Sequence, residues 1–368
     1  MVNLSQLMQY CSRNLIAVFF LLHGFLINIA YCADEGPIRI LSIDGGGVRV
    51  AVSTQMLSYL EEQTGKPICE SFHMIGGVSM GAVVATMLTT PDNPTAPFSE
   101  WKPKYQAKDL IRLFTQERGR LFCKRDSVFQ ILKQSTLYDT QSIEDVATSY
   151  YGDNPFDQAI IPTVVIATDS SNLFKPYIFR SWDKDHPVLV KDVVLSSSAA
   201  PVFFKSRTVN ITSRSTGVSR SIKFIDGVVS CNSPAQTLLE EAKKLYPRGT
   251  RFEIVSLGSG HCDDIPPSDF RSWMRNPLLA AKQAAYKAFS KASQAAHEEL
   301  KATYQDSYWR FSPSIAVDHI FLDDISEENI KYLLETGTLY IQENRTMIDR
   351  LIERLSAPKS SFKPREIS

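Results

Sequence analysis

The chain has 368 residues, 43% of them hydrophobic and 22% charged, with 40 acidic against 40 basic side chains. That length and apolar content can bury a large core, which argues against a disordered or fibrous protein. The balanced charge, without a basic stripe or a polybasic block, argues against a nucleic-acid binder and a cationic membrane anchor.

The N-terminus reads as a targeting segment. Residues 16–30 are almost entirely apolar, Arg13 is the only charge before them, and Ala30-Tyr31-Cys32 leads into Ala33-Asp34-Glu35. The run is short for a membrane span, and the small residues at 30 and 32 suit cleavage after Cys32. Bulky Tyr31 disfavours a lipoprotein site at Cys32, and an uncleaved anchor is a third reading. The expectation is a signal peptide over residues 1–32 and export to a secreted, periplasmic or membrane-associated location.

Residues 38–43 predict a strand that runs into Asp44-Gly45-Gly46-Gly47-Val48-Arg49. Three successive glycines can turn several backbone N–H groups toward one negative oxygen, and Arg49 adds a positive charge. No Gly-Lys-Ser/Thr follows, and Val50 stands where a dinucleotide fingerprint needs its last glycine, so nucleotide loops are the weaker readings. A plain tight turn is the bland alternative. Residues 52–62 predict a helix.

The apolar run 72–78 ends in Gly77-Val78-Ser79-Met80-Gly81, and residues 82–88 read as helix. Strand, tight turn and helix place a serine at the apex. Glycine neighbours let a strained apex residue avoid clashes, and the helix start aims N–H groups at an anion beside it. The pentapeptide alone is a weak signal, and its context carries the argument.

Further on, residues 143–150 and 237–245 predict helices, and 163–167 and 252–257 predict buried strands. The stretch 191–200 runs into Pro201, and its serines suit packing and capping. Residues 222–225 predict a strand ending in Asp226-Gly227, where glycine leaves the carboxylate unhindered. Asn232-Ser233-Pro234 is expected to cap and start the next helix. Alternating strands and helices predict an α/β protein with a three-layer α/β/α fold and a largely parallel central sheet.

Past residue 262 the composition turns helical. Residues 270–304 predict a long amphipathic helix, broken at Asn276-Pro277. It either packs on the flank or meets lipid through Lys282, Lys287, Lys291 and Lys301. A second helical stretch runs over 324–355, and 358–368 reads as a disordered tail. Cys69, Cys123, Cys231 and Cys262 leave two disulfides or four free thiols open. No Cys/His cluster is seen, so no metal is expected.

Five blocks taken in order resemble the patatin-like phospholipases, a family of serine lipid acyl hydrolases. They are Asp44-Gly45-Gly46-Gly47 with Arg49; Gly77-Val78-Ser79-Met80-Gly81; Ser197-Ser198-Ala199-Ala200-Pro201; Asp226-Gly227 with Asn232 and Pro234; and Ser256-Leu257-Gly258-Ser259-Gly260. Tyr308-Trp309-Arg310-Phe311 and residues 323–329 are similar to the family's C-terminal portion, less specifically. The resemblance implies a patatin-like catalytic domain over 37–262 and a C-terminal helical part of the same domain over 263–357.

It further implies that Ser79 is the nucleophile and Asp226 its base. The N–H groups of Gly45, Gly46, Gly47 and Met80 would form the oxyanion hole, with Arg49, Gly77, Gly81 and Gly227 supporting. No cofactor is implied. The implied substrate is a phospholipid or another acyl-ester lipid, of phospholipase A or lysophospholipase type, with peripheral membrane contact. The chemistry is coherent, because a serine hydroxyl is a poor nucleophile until a base takes its proton. Two departures from the family pattern stand out: Val50 replaces a glycine, and Val228 replaces Gly or Ala. Both are expected to crowd the oxyanion loop or the Ser–Asp neighbourhood, tuning the site.

The competing catalytic reading is a Ser-His-Asp triad in the order serine, acid, histidine. Of its candidates, His186 and His297 read as solvated, whereas His261 and His319 could serve. A non-catalytic lipid- or partner-binding protein, and an effector activated by a protein partner, also stay open.

Overall fold

Near-continuous apolar strands need cover on both faces, and the fold supplies it. In this computed structural model residues 36–125, 135–263 and 277–360 are described. The targeting segment over 1–32 lies outside them, as do residues 264–276 and the last eight of the 358–368 tail.

In chain order the elements begin with β1 (Ile38–Ile43), α1 (Ala51–Thr64), β2 (Met74–Val78), α2 (Met80–Met87), α3 (Ala107–Thr115) and α4 (Thr140–Tyr151). Next come β3 (Thr163–Asp169), β4 (Pro176–Arg180), α5 (Val190–Ser197), β5 (Arg207–Thr212), β6 (Ser219–Asp226), α6 (Ala235–Leu245) and β7 (Phe252–Leu257). The chain closes with α7 (Pro277–Tyr304), β8 (Tyr308–Phe311), α8 (Glu327–Glu343) and α9 (Arg345–Ser356).

The strands form one sheet in the order β5-β6-β3-β2-β1-β7-β8, with β4 also on β3. The run from β3 to β8 is parallel, and β4, β5 and β6 join antiparallel. The expected largely parallel α/β fold is therefore present.

Strand alternation sorts side chains into two cores. Ile38 and Ile40 of β1 join Val164 and Ile166 of β3 beneath Leu238, Ala242 and Leu245 of α6. Leu41 and Ile43 face the larger core with Leu57 of α1, Val84 of α2 and Val193 of α5. A two-residue period in the strands thus produces a helix layer on each side.

The part beyond residue 262 is not purely helical. Tyr308–Phe311 extends the sheet as β8, paired in parallel with β7. The second helical stretch is split at Asn344 into α8 and α9. Helix α6 starts at Ala235, with Pro234 at its cap and no side-chain cap bond. The first residues of the expected disordered tail are anchored, since Lys359 Nζ donates to the carbonyls of Cys69 at 3.2 Å and Phe72 at 3.0 Å.

Candidate active site

The turn after β2 needs glycine on either side of its apex. Ser79 adopts φ 54° and ψ −129°, a conformation that L residues rarely take. A Cβ on Gly77 would strike the carbonyl of Gly81, and one on Gly81 would strike the carbonyls of Ile43 and Asp44. Glycine at both positions lets the elbow close against β1.

The sheet then delivers Asp226. Strand β3 is longer than β2, which pairs with its residues 163–166, while β6 pairs with residues 167–169. Strand β4 pairs across both stretches, so β2 and β6 share the opposite edge of β3. Asp226, at the end of β6, is thereby stacked beyond the end of β2. A Cβ on Gly227 would strike the carbonyl of Ile166, so this approach also needs glycine.

Ser79 Oγ donates to Asp226 Oδ2 at 2.7 Å. Asp226 Oδ1 accepts from the Val228 N–H at 2.9 Å. Asp226 is 1% exposed. Burial, which disfavours the charged form, outweighs these two hydrogen bonds and pushes its pKa up to about 7. Ser197, read from sequence as a packing residue, has a sharper place. Its Oγ accepts from the Ser79 N–H at 2.8 Å and donates to the Ile166 carbonyl at 2.6 Å.

The glycine loop lies beside the elbow. Ser259 Oγ donates to the Gly45 carbonyl at 2.8 Å, and the Val48 N–H donates to the Leu322 carbonyl at 2.9 Å. Gly47 has φ +56°, and a Cβ there would fall on the Leu322 carbonyl. Among the described residues nothing accepts from the N–H groups of Gly45, Gly46 or Gly47. Met80 opens α2, where a helix leaves N–H groups without intrahelical acceptors. Arg49 is buried, 4.8 Å from the Tyr286 ring centroid, and donates to the Gly260 carbonyl at 3.3 Å.

Gly46, Gly47, Arg49, Ser79, Met80 and Asp226 all border one largely apolar cavity of about 260 Å³. Its walls include Ile143, Phe203, Phe204, Val228, Ile320 and Phe321. Phe203 and Phe204 follow the Ala-Ala-Pro block, where two adjacent phenylalanines were the one available signal. Val228 was marked by its place beside Asp226-Gly227, whereas Ile143, Ile320 and Phe321 come from distant segments and carried no signal. Asn232, expected to cap a helix, borders this cavity instead.

The two departures from the family pattern have different fates. A Cβ on Gly45 would lie 2.6 Å from Val228 Cγ1, so Val228 does crowd the loop. Val50 is fully buried in the larger core and does not border the Ser79 cavity. All four cysteines in the described residues are free thiols.

None of the histidines among the described residues borders the Ser79 cavity. His186 Nδ1 lies 3.0 Å from Asp183 Oδ2 on an exposed loop. His261 borders a different, polar cavity. His319 bonds Asn329 Oδ1 at 2.7 Å and stacks on Tyr332. His297 is half-buried against Tyr308 rather than solvated, and burial lowers its pKa.

The family model described as patatin-like phospholipase matches residues 41–239. Patatin-like protein 2 of Oryza sativa subsp. indica is 24% identical over 354 residues, covering 85% of each chain. Patatin-like protein 3 of Arabidopsis thaliana is 26% identical over 254 residues, 61% of this chain and 59% of that one. Calcium-independent phospholipase A2-gamma of Oryctolagus cuniculus is 26% identical over 347 residues, 88% of this chain and 40% of the rabbit protein. The serine elbow, the glycine loop and the aspartate that meets the serine all lie within the matched span, which takes in more than half of the chain, and the protein belongs to the patatin-like phospholipase family.

Proposed function

We propose that this protein is a lipid acyl hydrolase of phospholipase A type, working through Ser79 and Asp226. The observation that carries the proposal is the direct 2.7 Å hydrogen bond from Ser79 Oγ to a buried carboxylate, at the wall of an apolar cavity. In this reading Ser79 Oγ attacks the acyl carbonyl carbon while its proton passes to Asp226 Oδ2. The oxyanion is held by the N–H groups of Gly45, Gly46, Gly47 and Met80, each donor contributing about 3–4 kcal/mol. Collapse expels the alcohol, which takes the proton from Asp226. A water then loses its proton to Asp226 and attacks the acyl-enzyme; collapse releases the fatty acid, and Ser79 Oγ takes the proton back from Asp226.

A base works best when its pKa lies near the operating pH, and about 7 for Asp226 supports that role. The apolar walls suit an acyl chain, and the rabbit relative's name, a phospholipase A2, supports a phospholipid substrate. Exposed Val202 and Val229, the latter also on the cavity wall, favour contact with a lipid surface. Export through residues 1–32 is part of the proposal on sequence pattern alone. A mature protein beginning at Ala33 would bear it out.

The test is fatty-acid release from mixed phospholipid vesicles by the full chain, Ser79→Ala and Asp226→Asn. Release that both substitutions abolish is expected. Release that survives Asp226→Asn but not Ser79→Ala would return the histidine-based alternative, and no release at all would count against hydrolysis of these lipids.

A further inference from the structure

The residue that opens the glycine loop is gripped from outside the family-matched span. Asp44 Oδ2 accepts from Arg310 Nη2 at 2.6 Å and from Ser293 Oγ at 3.1 Å. Arg310 stands on β8, and its Nη1 donates to Ser256 Oγ of β7 at 2.7 Å. Ser293 stands on α7, and both residues lie beyond position 239, where the family match ends. Asp44 is 2% exposed and the Arg310 side chain 14%.

Two observations give this grip a task other than cohesion. Asp44, Arg310 and Ser293 border a second cavity of about 350 Å³, polar where the first is apolar. Asp44 Oδ1 has no partner among the described residues. Space therefore adjoins the carboxylate, and its bonds to Arg310 and Ser293 set its orientation there. Second, a buried ion pair is weak evidence for stability, because desolvation offsets its attraction. The next residue is pinned as well, through Ser259 Oγ on the Gly45 carbonyl, so the loop is held at two consecutive positions.

We propose that Arg310, assisted by Ser293, is a positioning residue for the oxyanion loop. It fixes Asp44, and through Asp44 the direction in which the following glycine N–H groups point. The proposal rests on the hydrolase reading above. Oxyanion donors act only when already aimed, and a misplacement of about 1 Å can cost about 100-fold in rate.

The experiment compares the wild-type full chain with Ser293→Ala, Arg310→Gln and Arg310→Lys. Three quantities are read: kcat and KM on a water-soluble short-chain ester, the rate at which a fluorophosphonate labels Ser79, and the urea midpoint. Ser293→Ala keeps the ion pair and is expected to lower kcat about 3- to 10-fold, with KM and the urea midpoint unchanged. Arg310→Gln should lower kcat about 100-fold, and Arg310→Lys should recover part of that loss. Labelling should slow in parallel, because phosphonylation also develops charge on an oxygen in the hole.

Wild-type kcat and labelling in Ser293→Ala, or losses in every variant that only follow its unfolded fraction, would overturn the proposal while leaving the hydrolase reading intact. A wild-type chain that neither turns over nor labels at Ser79 would overturn both.

Discussion

Replacing Asp226 by Asn separates what the buried carboxylate does for chemistry from what it costs the fold. Asparagine keeps the shape, still accepts from the Val228 N–H, and turns the bond to Ser79 around so that the amide donates. The folded-state pKa of Asp226 is raised from 3.8 to about 7, chiefly by burial. The folded chain therefore holds a proton that the unfolded chain has already released between those values, and wild-type stability falls as pH rises from about 4 to about 7. At roughly 1.4 kcal/mol per pH unit the accumulated cost is about 4 kcal/mol. Asp226→Asn should thus match the wild type near pH 4 and exceed it by up to about 4 kcal/mol at pH 8, while losing about 10²- to 10⁴-fold in kcat. Urea denaturation of both proteins at successive pH values measures the gap. The pH profile of wild-type kcat/KM gives a second check, since it should climb about tenfold per unit below pH 7 and then level off. A stability gap that does not widen between pH 4 and pH 7, or an activity plateau reached by pH 5, would refute the reasoning.

Gly47→Ala should destabilise the fold by about 2–4 kcal/mol and abolish turnover, because a Cβ at φ +56° meets the Leu322 carbonyl; thermal unfolding and vesicle hydrolysis check both. Val228→Ala removes the Cγ1 methyl that faces Gly45, so stability should drop by about 1 kcal/mol. Its preference should move toward bulkier acyl groups by about tenfold, read from kcat/KM on a series of esters. Cys69 and Cys231 have thiols pushed up by burial to about 12 and about 11, and only the thiolate reacts. Peptide mapping after native iodoacetamide treatment at pH 8 should find buried Cys69 and half-buried Cys231 unmodified, and rapid labelling of either would contradict its raised thiol pKa.

The parts of the site that could be read in advance are those ruled by sterics between neighbours in the chain. A serine at φ 54° closed in by Gly77 and Gly81, a loop of Gly45 to Gly47, and a carboxylate freed by Gly227 each require glycine where the backbone makes close contact. Such demands leave a mark within five or six residues, as do the short apolar runs that marked β1 and β7 as strands. Distance along the chain erases other marks. That Asp226 reaches Ser79 depends on β3 extending past β2 and on β6 taking the freed edge, a register made by long-range pairing. The cavity wall gathers Ile143, Phe203, Ile320 and Tyr286 from segments whose local patterns announce only burial. Asn232 carries a capping signal and stands in that wall, because packing there outweighs a cap and Pro234 already begins the turn into α6. Arg310, in a stretch expected to be helical, reaches Asp44 because β8 adds itself to the sheet beside β7. Glycines and motif residues could be named from the sequence because their constraints are local and steric; the raised pKa of Asp226, the cavity and the grip on Asp44 emerged only on folding, because burial and charge pairing are properties of space shared by residues far apart in the chain.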